Sequence, residues 1–116
     1  MTIIRWDQDG DGIITLVIDD PGAGANTLTD AFIDELGATI DRLYAERHHI
    51  TGVVITSTKK TFFAGADLSL IIQAGPEQAQ EMFDWVTRVK ADLRRLELLG
   101  RPVVAAINGA ALGGGL

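Results

Sequence analysis

A chain of 116 residues that is 47% hydrophobic and 22% charged, with three prolines, has the composition of one folded domain or part of one, and not of a disordered tail. Its formal charge of −6 and pI near 4.7 exclude the clustered basic surface that nucleic-acid phosphates require, since no run is more basic than Lys59-Lys60. The absence of cysteine excludes a disulfide framework and thiolate metal sites, and fits a reducing cytosol.

The N-terminus, Met1-Thr-Ile-Ile-Arg-Trp-Asp7, has no basic segment followed by an apolar one, and no apolar run is long enough to span a bilayer. The chain therefore reads as cytoplasmic, without a membrane partner. Ile3 to Trp6 and Ile13 to Ile18 are β-branched runs joined by an Asp/Gly cluster at residues 7–12, which predicts a β-hairpin. Residues 21–26 then form a loop, and Thr29 is placed to cap a helix with Asp30 in its first turn. Phe32, Ile33, Leu36, Ile40, Leu43 and Tyr44 follow helical spacing and predict one buried stripe.

Gly52 to Thr56 reads as a strand buried on both faces, and a helix leading into such a strand suggests a parallel crossover. A short helix is expected to start near residues 68–72. From Pro76 a second long helix is marked by Ala79, Met82, Phe83, Val86, Val89, Leu93 and Leu96, with Gly100 and Pro102 as its stop. Val103 to Ile107 is a further strand, followed by a glycine-rich turn. The order is ββα, β, α, β, and both small-residue turns follow strands, where open α/β sheets hold ligands. The chain stops at Leu116 directly after three glycines, without a cap or polar tail, so it reads as a portion of a longer domain whose next residues continue a helix.

Several motifs weigh little. Asp7-x-Asp9-x-Asp11-Gly12 matches the start of a calcium-binding loop, but its twelfth position is Ile18 where a bidentate Glu is needed, and strands flank it where helices are required. A hairpin turn accounts for it. His48-His49 fits a solvated helix end better than a metal site. Lys59-Lys60-Thr61 lacks the glycine spacing of a phosphate loop, and Ser57 and Ser69 lack the glycines of a nucleophile elbow. Met82, Phe83, Trp85 and Val86 could line an apolar pocket, although core packing is the default for that spacing.

Two stretches carry chemistry. Phe62-Phe-Ala-Gly-Ala-Asp-Leu68 passes from a strand end through small residues, and Ile107-Asn-Gly-Ala-Ala-Leu-Gly-Gly-Gly115 does the same. Small residues let a ligand touch backbone, and the first amides of a helical turn have no internal acceptor. Two such amides from separate turns could form an oxyanion hole. Either stretch alone would pass for an ordinary tight turn, whereas the pair at this separation is far more specific.

Together they resemble the crotonase (enoyl-CoA hydratase/isomerase) family, whose members carry an F-x-A-G-A-D-[LI] turn and, some forty residues later, a P-V-x-A-x-x-N-G-x-A-x-G-G-G turn. Here the second reads Pro102-Val-Val-Ala-Ala-Ile-Asn-Gly-Ala-Ala-Leu-Gly-Gly-Gly115. The wording around Asp19-Asp-Pro-Gly22 and residues 59–67 is most similar to the N-terminal hydratase region of multifunctional fatty-acid oxidation α-subunits.

The resemblance implies an α/β fold of ββα repeats (ClpP/crotonase-like), of which residues 1–116 would be the N-terminal portion. It implies that the backbone N–H groups of Ala66 and Gly114 bind the thioester oxygen of an acyl-CoA, with a helix dipole assisting at Gly114. It assigns Asp67 and Leu68 to the CoA side of the pocket, Ala64 with Ala23 and Gly24 to the neighbourhood of the adenine, and Lys60 to a CoA phosphate. Ser69 stands where many hydratases carry a basic residue.

The parent reaction would be hydration of trans-2-enoyl-CoA, with double-bond isomerisation or non-catalytic acyl-CoA binding and assembly as alternatives. The family's catalytic Glu lies two residues beyond the G-G-G turn and a second one further on, and none of Glu77, Glu81 or Glu97 matches either position. No metal and no cofactor of the segment's own are implied. CoA enters as part of the substrate, and NAD only through a dehydrogenase region of the parent. The implied assemblies are a homo-oligomer or a complex with a thiolase subunit.

Overall fold

The expected hairpin forms between β1 (Ile4–Gln8) and β2 (Ile13–Ile18) in the computed structural model, which describes residues 2–66 and 75–115. The two strands pair antiparallel with Ile4 opposite Ile18 and Gln8 opposite Ile14. At the turn the Asp9 carboxylate accepts the N–H groups of Asp11 (2.9 Å) and Ile13 (3.0 Å), so this member of the acidic cluster is used by its own loop.

Helix α1 (Asp30–Ala45) begins as expected, with the Thr29 hydroxyl accepting the Phe32 N–H at 3.1 Å. Its predicted stripe is real. Phe32, Ile33, Leu36, Ile40 and Leu43 are buried, and the half-buried Tyr44 donates its hydroxyl to the Arg95 carbonyl at 2.6 Å. A side chain as enclosed as Ile33, Ile40 or Leu43 contributes about 1.5–3 kcal/mol relative to its exposed state.

The chain crosses over into β3 (Gly52–Ser57), parallel to β2 with Leu16 beside Ile55, and a second crossover through α2 (Ala79–Glu97) leads to β4 (Val103–Ala105), parallel to β3. The sheet order is β1-β2-β3-β4. Ile4, Ile14, Leu16, Ile18 and Val53 share the face that packs with α1 into one core cluster.

Three expectations need correction. β3 is not buried throughout on both faces: Gly52, Val53 and Ser57 are buried, while Val54, Ile55 and Thr56 are half-buried. β4 ends at Ala105, two residues early: the Ala106 N–H still reaches the Ile55 carbonyl at 2.8 Å, and beyond it the Asn108 side chain donates to the Lys59 carbonyl at 2.8 Å. The third concerns α2, whose predicted apolar stripe does not face the core as a unit. Leu96 is buried, but Phe83, Val86 and Leu93 are exposed. Where α2 faces α1 the contacts are largely charged: Arg88 pairs with Asp34 (2.8 Å), Arg95 pairs with Asp41, and the buried Asp92 lies opposite Gly37.

Candidate active site

The two small-residue turns leave the sheet at the C-terminal ends of β3 and β4 and lie against each other. Segment 62–66 runs between two others. On one side the Ala64 N–H reaches the Asn26 carbonyl at 2.8 Å, the Leu28 N–H reaches the Gly65 carbonyl at 2.9 Å, and Leu28 and Ala66 form a parallel bridge. Such a bridge uses the carbonyl that precedes Ala66 and leaves the Ala66 N–H on the opposite side. Among the described residues no backbone acceptor takes that N–H.

On the other side the Phe62 N–H meets the Ala110 carbonyl at 2.8 Å, Phe63 and Ala111 form a second parallel bridge, and the Leu112 N–H returns to the Phe63 carbonyl at 3.0 Å. This contact is too close for side chains. A Cβ on Gly109 would lie 2.1 Å from the Lys60 carbonyl oxygen and one on Gly115 would lie 2.6 Å from that of Phe63, whereas one on Gly113 would make only ordinary contact with Gly65 Cα at 3.8 Å. Gly65 and Gly113 also have φ of 85° and 52°, which L side chains rarely adopt.

Residues Gly113–Gly115 form a single 3-10 turn in which the Gly115 N–H bonds the Leu112 carbonyl at 2.8 Å. The Gly113 and Gly114 amides therefore precede the first donor used inside the turn. Within the described residues this turn has three residues.

Beside this contact is an apolar cavity of about 260 Å³, walled by Ile18, Ile55 and Ala105 of the sheet, Leu28, Phe32 and Leu36 around α1, and Val89, Leu93 and Leu96 of α2, and reaching Phe62, Phe63 and Gly115. Phe63 is packed on Phe32 with ring centroids 5.1 Å apart. The sequence pointed to the wrong part of α2: Met82, Phe83, Trp85 and Val86 do not line this cavity, and Trp85 instead donates its indole N–H to Asp30 at 3.1 Å.

The other predicted residues divide. Ala64 is half-buried and pinned by Asn26, whereas Ala23 and Gly24 occupy an exposed turn and Lys60 is exposed. Asp67, Leu68, Ser69 and the helix expected at 68–72 lie outside the described residues. The neighbouring Lys59 is committed to Asp19 at 2.9 Å, which leaves Lys60 as the exposed member of the pair. Sequence reasoning missed two groups, the buried side chains of Asn26 and Ser57; an amide in a loop of Gly and Ala carries no signal of its burial.

The Lys59 ammonium, hydrogen-bonded to Asp19, and next the Thr58 hydroxyl hold the Asp19 carboxyl below its ordinary range. A depressed pKa means stabilisation that is present above the unfolded value of about 4 and is lost as pH falls through the folded value. Asp19→Asn is accordingly expected to flatten the fall in Tm below about pH 4, read from melting curves across that range. An unchanged acid slope would show that the pair contributes nothing there.

A family model described as enoyl-CoA hydratase/isomerase matches residues 8–116. The chain belongs to this family. Among curated relatives, a fatty acid oxidation complex subunit alpha from Idiomarina loihiensis is 44% identical over 107 residues, covering 91% of this chain and 15% of the relative. A protein of the same description from Aliivibrio fischeri is 38% identical over 112 residues, covering 96% and 16%. The chain thus spans about one sixth of the length of these relatives, a likeness in accord with the wording around residues 59–67. An enoyl-CoA hydratase crystal structure from Bacillus anthracis superposes with a TM-score of 0.82 at 30% identity, over 98% of this chain and 43% of that one. The α/β crotonase fold read from the two turns is therefore the fold of this family member. No helix among the described residues is long and apolar enough to cross a membrane.

Proposed function

We propose that this chain supplies the thioester-polarising part of an enoyl-CoA hydratase, in a protein that adds water to trans-2-enoyl-CoA to give 3-hydroxyacyl-CoA. The observation that carries this reading is the contact between the two turns, in which Gly109 and Gly115 leave no room for a Cβ and Gly65 and Gly113 hold left-handed backbone; we assign the Ala66 and Gly114 amides to the ligand. In the addition step negative charge moves from the double bond onto the thioester oxygen, and two fixed amides lower that barrier because they need no reorganisation as the charge develops. The apolar cavity at Phe63 and Gly115 suits an acyl chain attached to the same carbonyl.

The exposed Lys60 and the Ala23–Gly24 turn, with Ala64, Asp67 and Leu68, are assigned to the CoA portion. Water activation and proton return to the α-carbon need carboxylates, and neither Glu81 nor Glu97 is assigned to that role, since both are exposed and Glu97 is paired with Arg94 at 2.7 Å. Residues 1–116 are then the N-terminal part of the hydratase domain, reaching the second oxyanion turn. CoA is a substrate component, NAD would serve a separate dehydrogenase region, and the whole protein would work in the cytoplasm as a homo-oligomer or with a thiolase subunit.

The test is turnover by the full-length protein. Loss of the conjugated thioester absorbance of trans-2-enoyl-CoA, with 3-hydroxyacyl-CoA as product, is expected. Conversion of a 3-enoyl-CoA without hydration would identify an isomerase, and tight acyl-CoA binding with no turnover would identify a binding module.

A further inference from the structure

We infer that Asn26 and Ser57 are positioning residues for the first oxyanion donor, an inference that rests on the proposed thioester site. The Asn26 side chain is 1% exposed, and its carboxamide oxygen accepts the Asp20 N–H at 3.0 Å. Its Nδ2 lies 3.1 Å from the Ile18 carbonyl, 2.8 Å from the Ser57 hydroxyl and 3.4 Å from the Phe62 carbonyl. One side chain thus ties the end of β2, the end of β3 and the approach to the first turn.

Ser57, 8% exposed, completes the connection: its hydroxyl accepts from Asn26 and from the Lys59 N–H (3.0 Å) and donates to the Thr61 carbonyl at 3.1 Å. Every bonding capacity of that hydroxyl is used.

The backbone of the same residue supports the turn directly. The Asn26 carbonyl holds the Ala64 N–H, and two residues on, Leu28 bridges to Ala66. Segment 26–28 is therefore the strut against which residues 64–66 are laid, and the carboxamide fixes the strut to the sheet. Where the strut sits decides where the Ala66 N–H points. An apolar side chain could fill the volume, but it could not hold three backbone segments in one register, so the geometry assigns this network to aim and not merely to bulk.

Asn26→Asp keeps the acceptor for Asp20 and loses both protons, setting a carboxylate oxygen against the Ile18 and Phe62 carbonyls. In the full-length protein kcat is expected to fall about 100-fold with KM changed less than about threefold, as for a misplaced donor. Ser57→Ala is expected to lower kcat about tenfold, and Ser57→Thr, which keeps the hydroxyl, to restore it. Infrared difference spectra of a saturated acyl-CoA labelled with ¹³C at the thioester carbon give an independent reading: the wild type shifts the carbonyl stretch to lower wavenumber, and Asn26→Asp and Ser57→Ala retain only part of that shift. Folded variants with the full carbonyl shift and wild-type kcat would overturn the positioning role alone. A wild type that leaves the carbonyl unshifted would overturn the thioester site, and this inference with it. If Asn26→Asp does not fold, the Ser57→Ala and Ser57→Thr pair decides the matter by the same criteria.

Discussion

Gly109→Ala is expected to destabilise the protein by about 3 kcal/mol and to lower turnover by about two orders of magnitude. The new methyl would stand 2.1 Å from the Lys60 carbonyl oxygen, 3.1 Å from its carbon and 3.2 Å from Thr61 Cα. All three are backbone atoms, so no rotamer change relieves the clash; the two segments must part. Parting strains the Phe62 to Ala110 hydrogen bond of 2.8 Å and the return from Leu112 to Phe63 at 3.0 Å, which hold the second turn beside the first.

Stability and activity therefore fall together. Gly10→Ala is the control, since nothing lies within 4 Å of its added Cβ and its φ is not positive; it should stay within about 0.5 kcal/mol of wild type. Denaturant midpoints and kcat for the two variants measure the difference. An undisturbed Gly109→Ala midpoint would mean that the turns can slide apart at no cost.

The same contact shows what could be read before the structure and what could not. Residues 62–66 and 107–115 were legible only as a pair at their particular separation, which resembles a family pattern, since either alone would pass for an ordinary tight turn, whereas the hairpin, the Thr29 cap and the α1 stripe followed from periodicity and turn chemistry. The α2 stripe failed because spacing specifies a face without specifying what it meets. On the side facing α1 the helix meets Asp34 through Arg88 and Asp41 through Arg95, and pairs 54 residues apart in sequence leave no local trace. β3 was read as doubly buried from its unbroken Val-Val-Ile run, yet composition cannot say which face a sheet covers. Asn26 was invisible for a related reason: its four side-chain partners come from residues 18, 20, 57 and 62, and only the fold assembles them.

Replacing the 113–114 amide by an ester, with glycolic acid in place of Gly114, is expected to lower kcat by a factor of about 10²–10³, or about 3 kcal/mol of transition-state stabilisation. The ester removes one N–H and adds no atom, so the φ of 52° at Gly113 and the bond from Gly115 to Leu112 can persist. Gly114→Pro would delete the same donor, but proline pushes the preceding residue toward extended backbone, and Gly113 is left-handed here, so a loss of activity in that variant would mix donor removal with a rebuilt turn.

KM should change little if the amide interacts more strongly with the charged transition state than with the neutral thioester. A matched rise in KM with kcat intact would instead mean that the Gly114 amide binds ground and transition states equally. Wild-type values of both constants in the folded ester protein would remove Gly114 from the site, leaving the glycines of the second turn with a packing role against Phe63 and Gly65.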